Sequence, residues 1–446
     1  MQKYIFKNIS IVNDGKITES DLLIEGERIK KIAPSISVRS SAVEINGEGK
    51  FLMPGVIDDQ VHFREPGLTH KATIATESAA AVAGGTTSFM EMPNTIPNAL
   101  TLDILEDKYK IAQQTSHANY SFYMGVSNSN ADEVLKANKF KNNICGVKIF
   151  MGSSTGNMLV DNHSTLNKIF SESELLIATH CEDERIIKEN YTTLLNQGIE
   201  LQPFHHPVIR DENACYESSL IAIQFAHKHN SRLHILHIST EKELQLFSNF
   251  LPLAEKRITA EVCVHHLHFT ASDYETQGYK IKCNPAIKKE SNKEALWKAL
   301  LSDKLDVIAT DHAPHLLSEK TAPYNHASSG IPLVQHSLLL MLEYYREGRI
   351  TLPFIAKKMS HDVAICFKVK DRGFVREGFF ADLVMVDLNS KTKVSNENIF
   401  YKCGWSPFNS QTFSSSIMAT FVNGNLVYNG GKIISDAKGL RLKFKN

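Results

Sequence analysis

The sequence predicts an α/β protein, a (β/α)₈ TIM-like barrel joined to a small β-sandwich domain that is built from both chain termini. The middle of the 446-residue chain alternates strand-like and helix-like stretches eight times, which is typical of a parallel barrel. Both ends carry short apolar and polar alternations separated by turn residues, which favours hairpins. We therefore expect a β domain of residues 1–52 plus 366–446 and a barrel domain of residues 53–365.

The β-rich character of the two ends rests on the spacing of their apolar residues. Three apolar bursts near the N-terminus are separated by the turn signals Asn13-Asp14-Gly15 and Glu25-Gly26-Glu27. The same pattern returns at residues 381–387 and 420–428. Two such ends around a long middle predict one small domain that both ends assemble together.

The middle of the chain supplies the predicted barrel. Its first strand leads to His62, and the other seven strands are predicted at residues 86–92, 119–126, 144–150, 174–181, 232–238, 257–264 and 305–311. Helical stretches between them are predicted at residues 71–83, 104–114, 218–228 and 292–301. In this fold the carboxyl ends of the strands, and the loops after them, carry the chemistry.

Composition excludes several classes of function. The chain has 49 basic and 49 acidic residues, so it has no electrostatic footprint for nucleic acid or an anionic membrane. It has no apolar run of membrane-spanning length and no signal-peptide pattern, so we expect a cytoplasmic protein. The seven cysteines are scattered without a CxxC pair, which indicates reduced thiols and no cysteine-based zinc site.

The stretch from Pro54 to Gly67 reads as one wall of an active site. A short apolar run turns into alternation, which places His62 and Arg64 on the same face of a strand before Pro66 ends it. An imidazole binds metals and a guanidinium binds carboxylates, so the pair predicts a site for an acidic substrate. The alternatives are a structural histidine and an arginine in a structural ion pair.

Other predicted strand ends carry matching groups. Lys148, His180, His237 and Asp311 fall at the carboxyl ends of four different strands. Imidazole and carboxylate are ligands suited to Zn²⁺ with an open coordination position. A single such histidine is usually a core residue, but their coincidence at one predicted rim favours a metal site. The neighbouring pair His265-His266 is interpreted as buried imidazoles that support a loop.

Lys148 lies inside the apolar run Val147-Lys148-Ile149-Phe150, where a charged amine is costly to bury. Burial lowers the pKa of a lysine, and a neutral amine is nucleophilic towards CO₂. We therefore hypothesise that Lys148 is carboxylated and that its carbamate oxygens bind metal. The alternative is an amphipathic lysine whose charged end reaches the barrel rim.

Together, these motifs make the chain resemble the amidohydrolase superfamily and, within it, the dihydroorotases. The resemblance covers nearly the whole length and rests on the following segments: His62-Phe63-Arg64-Glu65-Pro66-Gly67, Met92-Pro93-Asn94-Thr95, Gly146-Val147-Lys148, His180-Cys181-Glu182-Asp183, Leu236-His237-Ile238-Ser239, Lys282-Cys283-Asn284-Pro285, residues 309–315 and residues 404–408. It implies a zinc-dependent cyclic amide hydrolase that interconverts dihydroorotate and N-carbamoyl-L-aspartate in pyrimidine biosynthesis.

The resemblance also implies a role for each candidate residue. His62 would bind a first metal, and carboxylated Lys148 would bridge towards a second position completed by His180 and His237. Asp311 would touch the first metal and act as the catalytic proton shuttle. The substrate would be held by the side chains of Arg64, Asn94 and His315 at its carboxylate and of Asn284 at its ring.

One residue departs from the family pattern, which reads Asp-x-His-x-His where this chain has Asp58-Asp59-Gln60-Val61-His62. An amide oxygen is a weaker zinc ligand than an imidazole, so we expect one zinc per chain with the second position uncertain. The alternatives to an active enzyme of this family are a catalytically silent partner subunit of aspartate transcarbamoylase and a hydantoinase- or allantoinase-type amidase. A homodimer, and association with aspartate transcarbamoylase, are the protein partners that the resemblance implies.

Overall fold

The computed structural model describes residues 3–38, 41–152 and 158–445, and it confirms the α/β class. The strands of the described residues are, in chain order, β1 (Lys3–Asn13), β2 (Lys16–Glu25), β3 (Arg28–Ala33), β4 (Val43–Asn46), β5 (Phe51–Pro54), β6 (Val56–Val61), β7 (Thr86–Glu91), β8 (Asn119–Phe122), β9 (Met124–Gly125), β10 (Val147–Phe150), β11 (Ile177–His180), β12 (Leu233–Ile235), β13 (Ile258–Cys263), β14 (Val307–Ala309), β15 (Leu383–Asp387), β16 (Thr392–Lys393), β17 (Thr412–Phe413), β18 (Ser416–Val422), β19 (Asn425–Asn429) and β20 (Lys432–Ile433).

Helices fill most of the connections in the middle of the chain. They are α1 (Ile74–Ala83), α2 (Leu102–Thr115), α3 (Ala131–Leu135), α4 (His163–Glu172), α5 (Glu184–Asn196), α6 (His206–Ile209), α7 (Glu212–His229), α8 (Val264–His268), α9 (Tyr274–Gln277), α10 (Glu290–Leu301), α11 (Leu317–Lys320), α12 (Ser337–Arg346), α13 (Leu352–Ala356) and α14 (Asp362–Cys366). Short 3₁₀ helices occur at Lys136–Phe140, Pro203–His205, Lys242–Leu246, Leu253–Glu255, Ala271–Asp273 and Gly278–Ile281, and a π-helix at Lys357–His361. In the part of the chain that the structure describes, no helix has the length and apolarity needed to cross a membrane.

The two ends of the chain meet in one nine-stranded sheet. Its order is β20-β19-β18-β15-β5-β1-β2-β3, and β4 pairs with the first half of β1, on the edge that β5 also uses. The first hairpin turns at Asp14 and Gly15, whose φ angles of 48° and 77° are those of the tight turn that the sequence predicts. The two-layered sandwich and the domain limits stay predictions, and residues 1, 2, 39, 40 and 446 of the predicted terminal domain lie outside the described part.

The middle of the chain forms parallel strands in the predicted places. β6, β7 and β8 pair in that order, and β9 to β14 pair in a second series of six. β8 and β9 are separated only by Tyr123, and a parallel bridge between Val61 and His312 connects β6 to the residues after β14. All eight predicted strands are present, and most are shorter than predicted. Their carboxyl ends therefore lie at a common edge.

A buried ion pair connects helix α2 to this edge. Lys108 of α2 is fully buried, and its Nζ lies 3.2 Å from Oε2 of Glu91 at the end of β7. The other oxygen of Glu91 accepts a hydrogen bond from the backbone N of Phe63, at 3.0 Å. Because Phe63 lies between His62 and Arg64, the ion pair fixes the segment that carries both candidate residues.

The last described residues pack beneath the parallel strands. Leu440 and Leu442 exchange backbone hydrogen bonds with Tyr120 of β8 at 3.1 and 2.9 Å. Gly439 approaches so closely that a Cβ at this position would lie 1.8 Å from the carbonyl oxygen of Ala118, so only glycine fits. Leu442 and Phe444 are buried, so this segment closes the end of the strands opposite to the candidate site.

Replacing Lys108 with methionine should destabilise the protein strongly. The change leaves the buried Glu91 carboxylate without its cation, which costs about 3–5 kcal/mol in the free energy of unfolding. Denaturant unfolding followed by circular dichroism measures this loss. The matched control is Lys110→Met, since Lys110 is an exposed lysine of the same helix and pairs only with exposed Asp107. A double variant Lys108→Met/Glu91→Gln should recover part of the loss, and equal stability of Lys108→Met and wild type would contradict the assignment.

Candidate active site

The carboxyl ends of the parallel strands enclose a cavity of about 380 Å³. The structure brings together in this cavity all of the residues that the sequence singled out: His62, Arg64, Asn94, Lys148, His180, His237, Asn284, Asp311 and His315. All of them except Asn284 are buried. The cavity is also lined by residues without a predicted role: Gln60, Lys71, Phe150, Arg210, Ala313, Ser328, Ser329 and Gly330.

His62 and Asp311 face each other on one side of the cavity. His62 Nδ1 donates a hydrogen bond to Asn94 Oδ1 at 2.8 Å, and His62 Nε2 lies 3.1 Å from Asp311 Oδ1. Burial lowers the pKa of His62, although the hydrogen bond and the charge of Asp311 oppose this, and the lowered pKa favours the neutral ring. A neutral ring with its proton on Nδ1 presents the Nε2 lone pair to the carboxylate, and a cation between the two acceptors would remove their repulsion.

Gln60 occupies the place next to this pair. Its Nε2 donates a hydrogen bond to Asp311 Oδ1 at 3.0 Å, while its Oε1 lies 3.8 Å from the thiol of Cys263. The amide therefore turns its nitrogen, which has no lone pair for a metal, towards the carboxylate. This orientation agrees with the expectation that Gln60 is a poor substitute for a histidine ligand.

His180 and His237 form the opposite side. His180 Nδ1 lies 2.9 Å from His237 Nε2, and His237 Nδ1 has no hydrogen-bond partner among the described residues. His180 Nε2 lies 3.1 Å from Oε2 of buried Glu182, which also contacts Arg210. Burial opposes ionisation of Glu182, but the charge of Arg210 and the hydrogen bond from His180 lower its pKa to about 2. A carboxylate in this position orients an imidazole that binds metal.

Lys148 lies between the two histidine groups in the fold, on β10. It is fully buried, and its Nζ has no hydrogen-bond partner within the described residues. The Nζ lies over the ring of Phe150, 4.6 Å from the ring centroid. Burial lowers the pKa of Lys148 to about 7, against the opposing charges of Asp311 and Glu261. A large fraction of the amine is therefore neutral at neutral pH and can act as a nucleophile.

The end of the cavity nearest Arg64 is cationic. Arg64 is buried and donates from Nε to the carbonyl oxygen of Pro314 at 3.2 Å, and its Nη2 lies 3.0 Å from Nε2 of His315. Burial lowers the pKa of Arg64 to about 10, which still leaves it charged at neutral pH. Lys71 adds a second cation here, with Nζ 3.0 Å from His315 Nδ1. This end suits a carboxylate.

Sequence reasoning missed Lys71 and Arg210. Lys71 was included in a predicted helix, but it precedes α1, and its position seven residues after Arg64 was the available signal. Arg210 follows α6 in a segment without any motif, and no sequence signal marked it.

The side chain of Asn284 is positioned by His206, whose Nε2 lies 3.0 Å from Asn284 Oδ1.

Two other buried groups carry donor atoms suited to a metal. Asp59, His234 and Glu261 lie beneath the cavity, with His234 Nε2 3.1 Å from Asp59 Oδ2. Burial opposes the charge on this ring, but hydrogen bonds to Asp59 and Glu261 raise the pKa of His234 to about 9, so the group is balanced by its own imidazolium.

The second group is Cys263, His265 and His266. His266 Nε2 donates to the carbonyl oxygen of Pro285 at 3.1 Å, which supports a neighbouring loop as predicted. Neither His265 nor His266 lines the cavity.

Three of the candidate residues have a left-handed backbone. The φ angles are 68° at Arg64, 42° at His237 and 47° at Asp311. Such conformations are uncommon for residues other than glycine, and they concentrate at functional sites because the surrounding structure must hold them. The strained backbone lies where the strand ends turn their side chains into the cavity.

Comparison with known proteins agrees with this geometry. The sequence matches the amidohydrolase family over residues 51–427. It is 31% identical to a dihydroorotase from Listeria monocytogenes over 435 residues, which are 96% of this chain and 100% of that protein. It is 32% identical to a dihydroorotase from Methanosarcina acetivorans over 413 residues, which are 90% of this chain and 87% of that protein.

The fold is also that of a solved structure. An L-hydantoinase (dihydropyrimidinase) from Arthrobacter aurescens superposes with a TM-score of 0.91 at 26% sequence identity, covering 98% of each chain. The segment that matches the family model includes every strand end that contributes to the cavity. The chain therefore belongs to the amidohydrolase family.

Proposed function

We propose that the protein is a dihydroorotase, which reversibly hydrolyses the ring amide of dihydroorotate to N-carbamoyl-L-aspartate in pyrimidine biosynthesis. One observation carries the proposal: a single buried cavity combines a set of metal-type donors with a cationic end around Arg64. The full-length relatives that are named dihydroorotases support it. We also infer that the eight parallel strands close into a (β/α)₈ barrel, since the Val61–His312 bridge links the first strand to the last.

The residues of the cavity fit a zinc site. Orphaned buried atoms of Lys148 and His237, and the facing acceptors of His62 and Asp311, are the groups that a cation would satisfy. His62 and Asp311 would hold one position and His180 and His237 the other, with carboxylated Lys148 between them. Zinc, when bound, lowers the pKa of water and polarises an amide carbonyl.

The burial of Lys148 supports its carboxylation. The neutral amine would attack the carbon of CO₂ through its nitrogen lone pair, and the nitrogen would then lose a proton to water to leave a carbamate. The pKa of about 7 keeps much of the amine in the reactive form. The carbamate replaces a buried cation with an anion that has two donor oxygens, which suits a site whose other donors are imidazoles and the carboxylate of Asp311.

Asp311 is placed to move the proton. At one edge of the cavity, its Oδ1 accepts a hydrogen bond from Gln60 Nε2 at 3.0 Å. As a general base it would take a proton from the attacking water, and as a general acid it would return that proton to the ring nitrogen when the amide bond breaks. Arg64, Asn94 and His315 would hold the substrate carboxylate, and Asn284 would contact the ring.

A hydantoinase-type amidase is the second candidate, because the structure superposes on the Arthrobacter aurescens L-hydantoinase. Such rings lack the carboxylate that the buried guanidinium of Arg64 is positioned to bind. A silent partner subunit of aspartate transcarbamoylase is less favoured, since the donor set around Lys148 is intact apart from Gln60. A homodimer and association with aspartate transcarbamoylase stay predictions.

Arg64→Ala should weaken the use of dihydroorotate far more than the use of a neutral cyclic ureide such as dihydrouracil. Loss of the charge-assisted contact costs about 2–3 kcal/mol, or about 30- to 150-fold in kcat/KM. Steady-state assays of both substrates measure the ratio. Arg64→Lys serves as the control that keeps the charge. Equal losses for both substrates would show that Arg64 is structural.

We expect the wild-type protein to hydrolyse dihydroorotate and the variant Asp311→Asn to have almost lost this activity. The amide keeps the shape but cannot accept the proton, which costs about 10²–10⁴ in kcat. Ultraviolet assays of ring opening and thermal melting together separate catalysis from folding. Asp103→Asn, at an exposed position on α2, is the control and should retain full activity. Wild-type protein without activity would refute the proposed function.

Gln60→His should raise the zinc content. In the wild type, the position of His62 and Asp311 lacks a second imidazole, so we expect about one tightly held zinc per chain after dialysis against a weak chelator. The variant should approach two, as measured by elemental analysis. Gln114→His, at an exposed position of α2, is the control. Two zinc ions in the dialysed wild-type protein would show that Gln60, or a water in its place, is a competent ligand.

A further inference from the structure

The imidazole of His315 has a defined proton position. Its Nε2 lies 3.0 Å from the carbonyl oxygen of Ser329, which can only accept a hydrogen bond. Its Nδ1 lies 3.0 Å from Nζ of Lys71, which as an ammonium can only donate. Both contacts are satisfied when the proton is on Nε2 and the lone pair is on Nδ1. Burial, together with the charges of Arg64 and Lys71, holds the pKa of His315 well below its usual range, so the ring is neutral.

A carboxylate next to Lys71 favours the opposite tautomer. Glu319 Oε1 pairs with Lys71 Nζ at 2.8 Å, and Glu319 Oε2 lies 3.7 Å from Nδ1 of His315. If the ammonium were absent, this carboxylate would be the nearest charged group to Nδ1 and would draw the proton to that nitrogen. Lys71 prevents this, because its ammonium donates a hydrogen bond to Nδ1 and so requires the lone pair on that nitrogen.

The tautomer decides what Arg64 can bind. Arg64 Nη2 lies 3.0 Å from Nε2 of His315. With the proton on Nε2 the two groups are both donors, so they cannot bond to each other. The N–H of His315 is then engaged by the carbonyl oxygen of Ser329, and Nη2 of Arg64 keeps its N–H groups for an anion. With the proton on Nδ1, the Nε2 lone pair would accept from Arg64 and remove one of its N–H groups from the substrate. It would also present a lone pair to the substrate carboxylate.

We propose that Lys71 is a positioning residue for the carboxylate subsite, which holds His315 in the Nε2–H tautomer so that His315 does not accept from Arg64 and Nη2 of Arg64 stays free to donate to the carboxylate of the substrate. Lys71 is buried, with 8% of its surface exposed, and it lines the cavity beside His315. The identity of the anion rests on the proposed function. The tautomer itself does not, and it can be measured without turnover.

The direct test is ¹⁵N NMR of the histidine rings in the full-length protein, with the signal of His315 assigned by its loss in His315→Asn. We expect the Nε2–H tautomer in the wild type and in Lys71→Arg, which keeps a donor. We expect a shift to Nδ1–H in Lys71→Met. An Nδ1–H tautomer in the wild type, or an unchanged tautomer in Lys71→Met, would overturn the proposal.

The kinetic test separates positioning from a structural role. Lys71→Met should raise KM for dihydroorotate by about tenfold or more, as expected for a lost hydrogen bond to a charged group, while kcat changes by less than about threefold. Lys71→Arg should stay close to the wild type. Adding Glu319→Gln to Lys71→Met should restore KM, because the competing carboxylate is gone and an amide N–H can donate to Nδ1.

Lys402→Met is the matched control. Lys402 is an exposed lysine that donates to the carbonyl oxygen of Thr69, two residues from Lys71. It should leave KM unchanged. An equal rise of KM in Lys402→Met, or a double variant without recovery, would show that the loop is merely disturbed. Wild-type protein that does not turn over dihydroorotate, yet shows the Nε2–H tautomer, would refute the proposed function and leave the tautomer assignment standing.

Discussion

The burial of polar groups without protein partners at the floor of the cavity is the constraint on which the rest of the site depends. Lys148 is fully buried with no hydrogen-bond partner for its amine among the described residues, and His237 has an unpartnered ring nitrogen. Groups of this kind cost several kilocalories per mole to bury unless something bonds to them. Whatever binds at the floor therefore also stabilises the folded protein, so occupancy of the site and stability are linked.

The backbone contributes to the same arrangement. Arg64, His237 and Asp311 adopt left-handed conformations that cost of the order of 1–3 kcal/mol each. Neighbouring contacts hold them: the backbone N of His237 donates to Glu261 Oε1 at 3.0 Å, and Arg64 is fixed through its contact with Pro314. The parallel strands thus supply more than positions for side chains, because their packing also maintains a backbone that would relax if the chain were free.

Sequence reasoning succeeded where the information was local and failed where it was distant. The strand ends could be located because the two-residue period and the turn signals lie within a few residues of each candidate ligand. The contact of Lys71 with His315 spans 244 positions, and the position of Lys71 seven residues after Arg64 could not specify that partner. The same holds for the imidazolium of His234 between Asp59 and Glu261, and for the direction in which the amide of Gln60 turns. Those features depend on which strands become neighbours, which periodicity does not specify.

The way in which the C-terminal segment closes the strands has a consequence for synthesis on the ribosome. β5 of the terminal sheet pairs with β15, and residues 440–442 pair with β8. In both cases the second segment is synthesised long after the first segment with which it pairs. The central strands are released long before the segment that covers their lower end, and until then Tyr120 and its neighbours lack a cover. During translation this chain must therefore hold a nearly finished core with an exposed apolar base, a stage at which chaperones would be most useful.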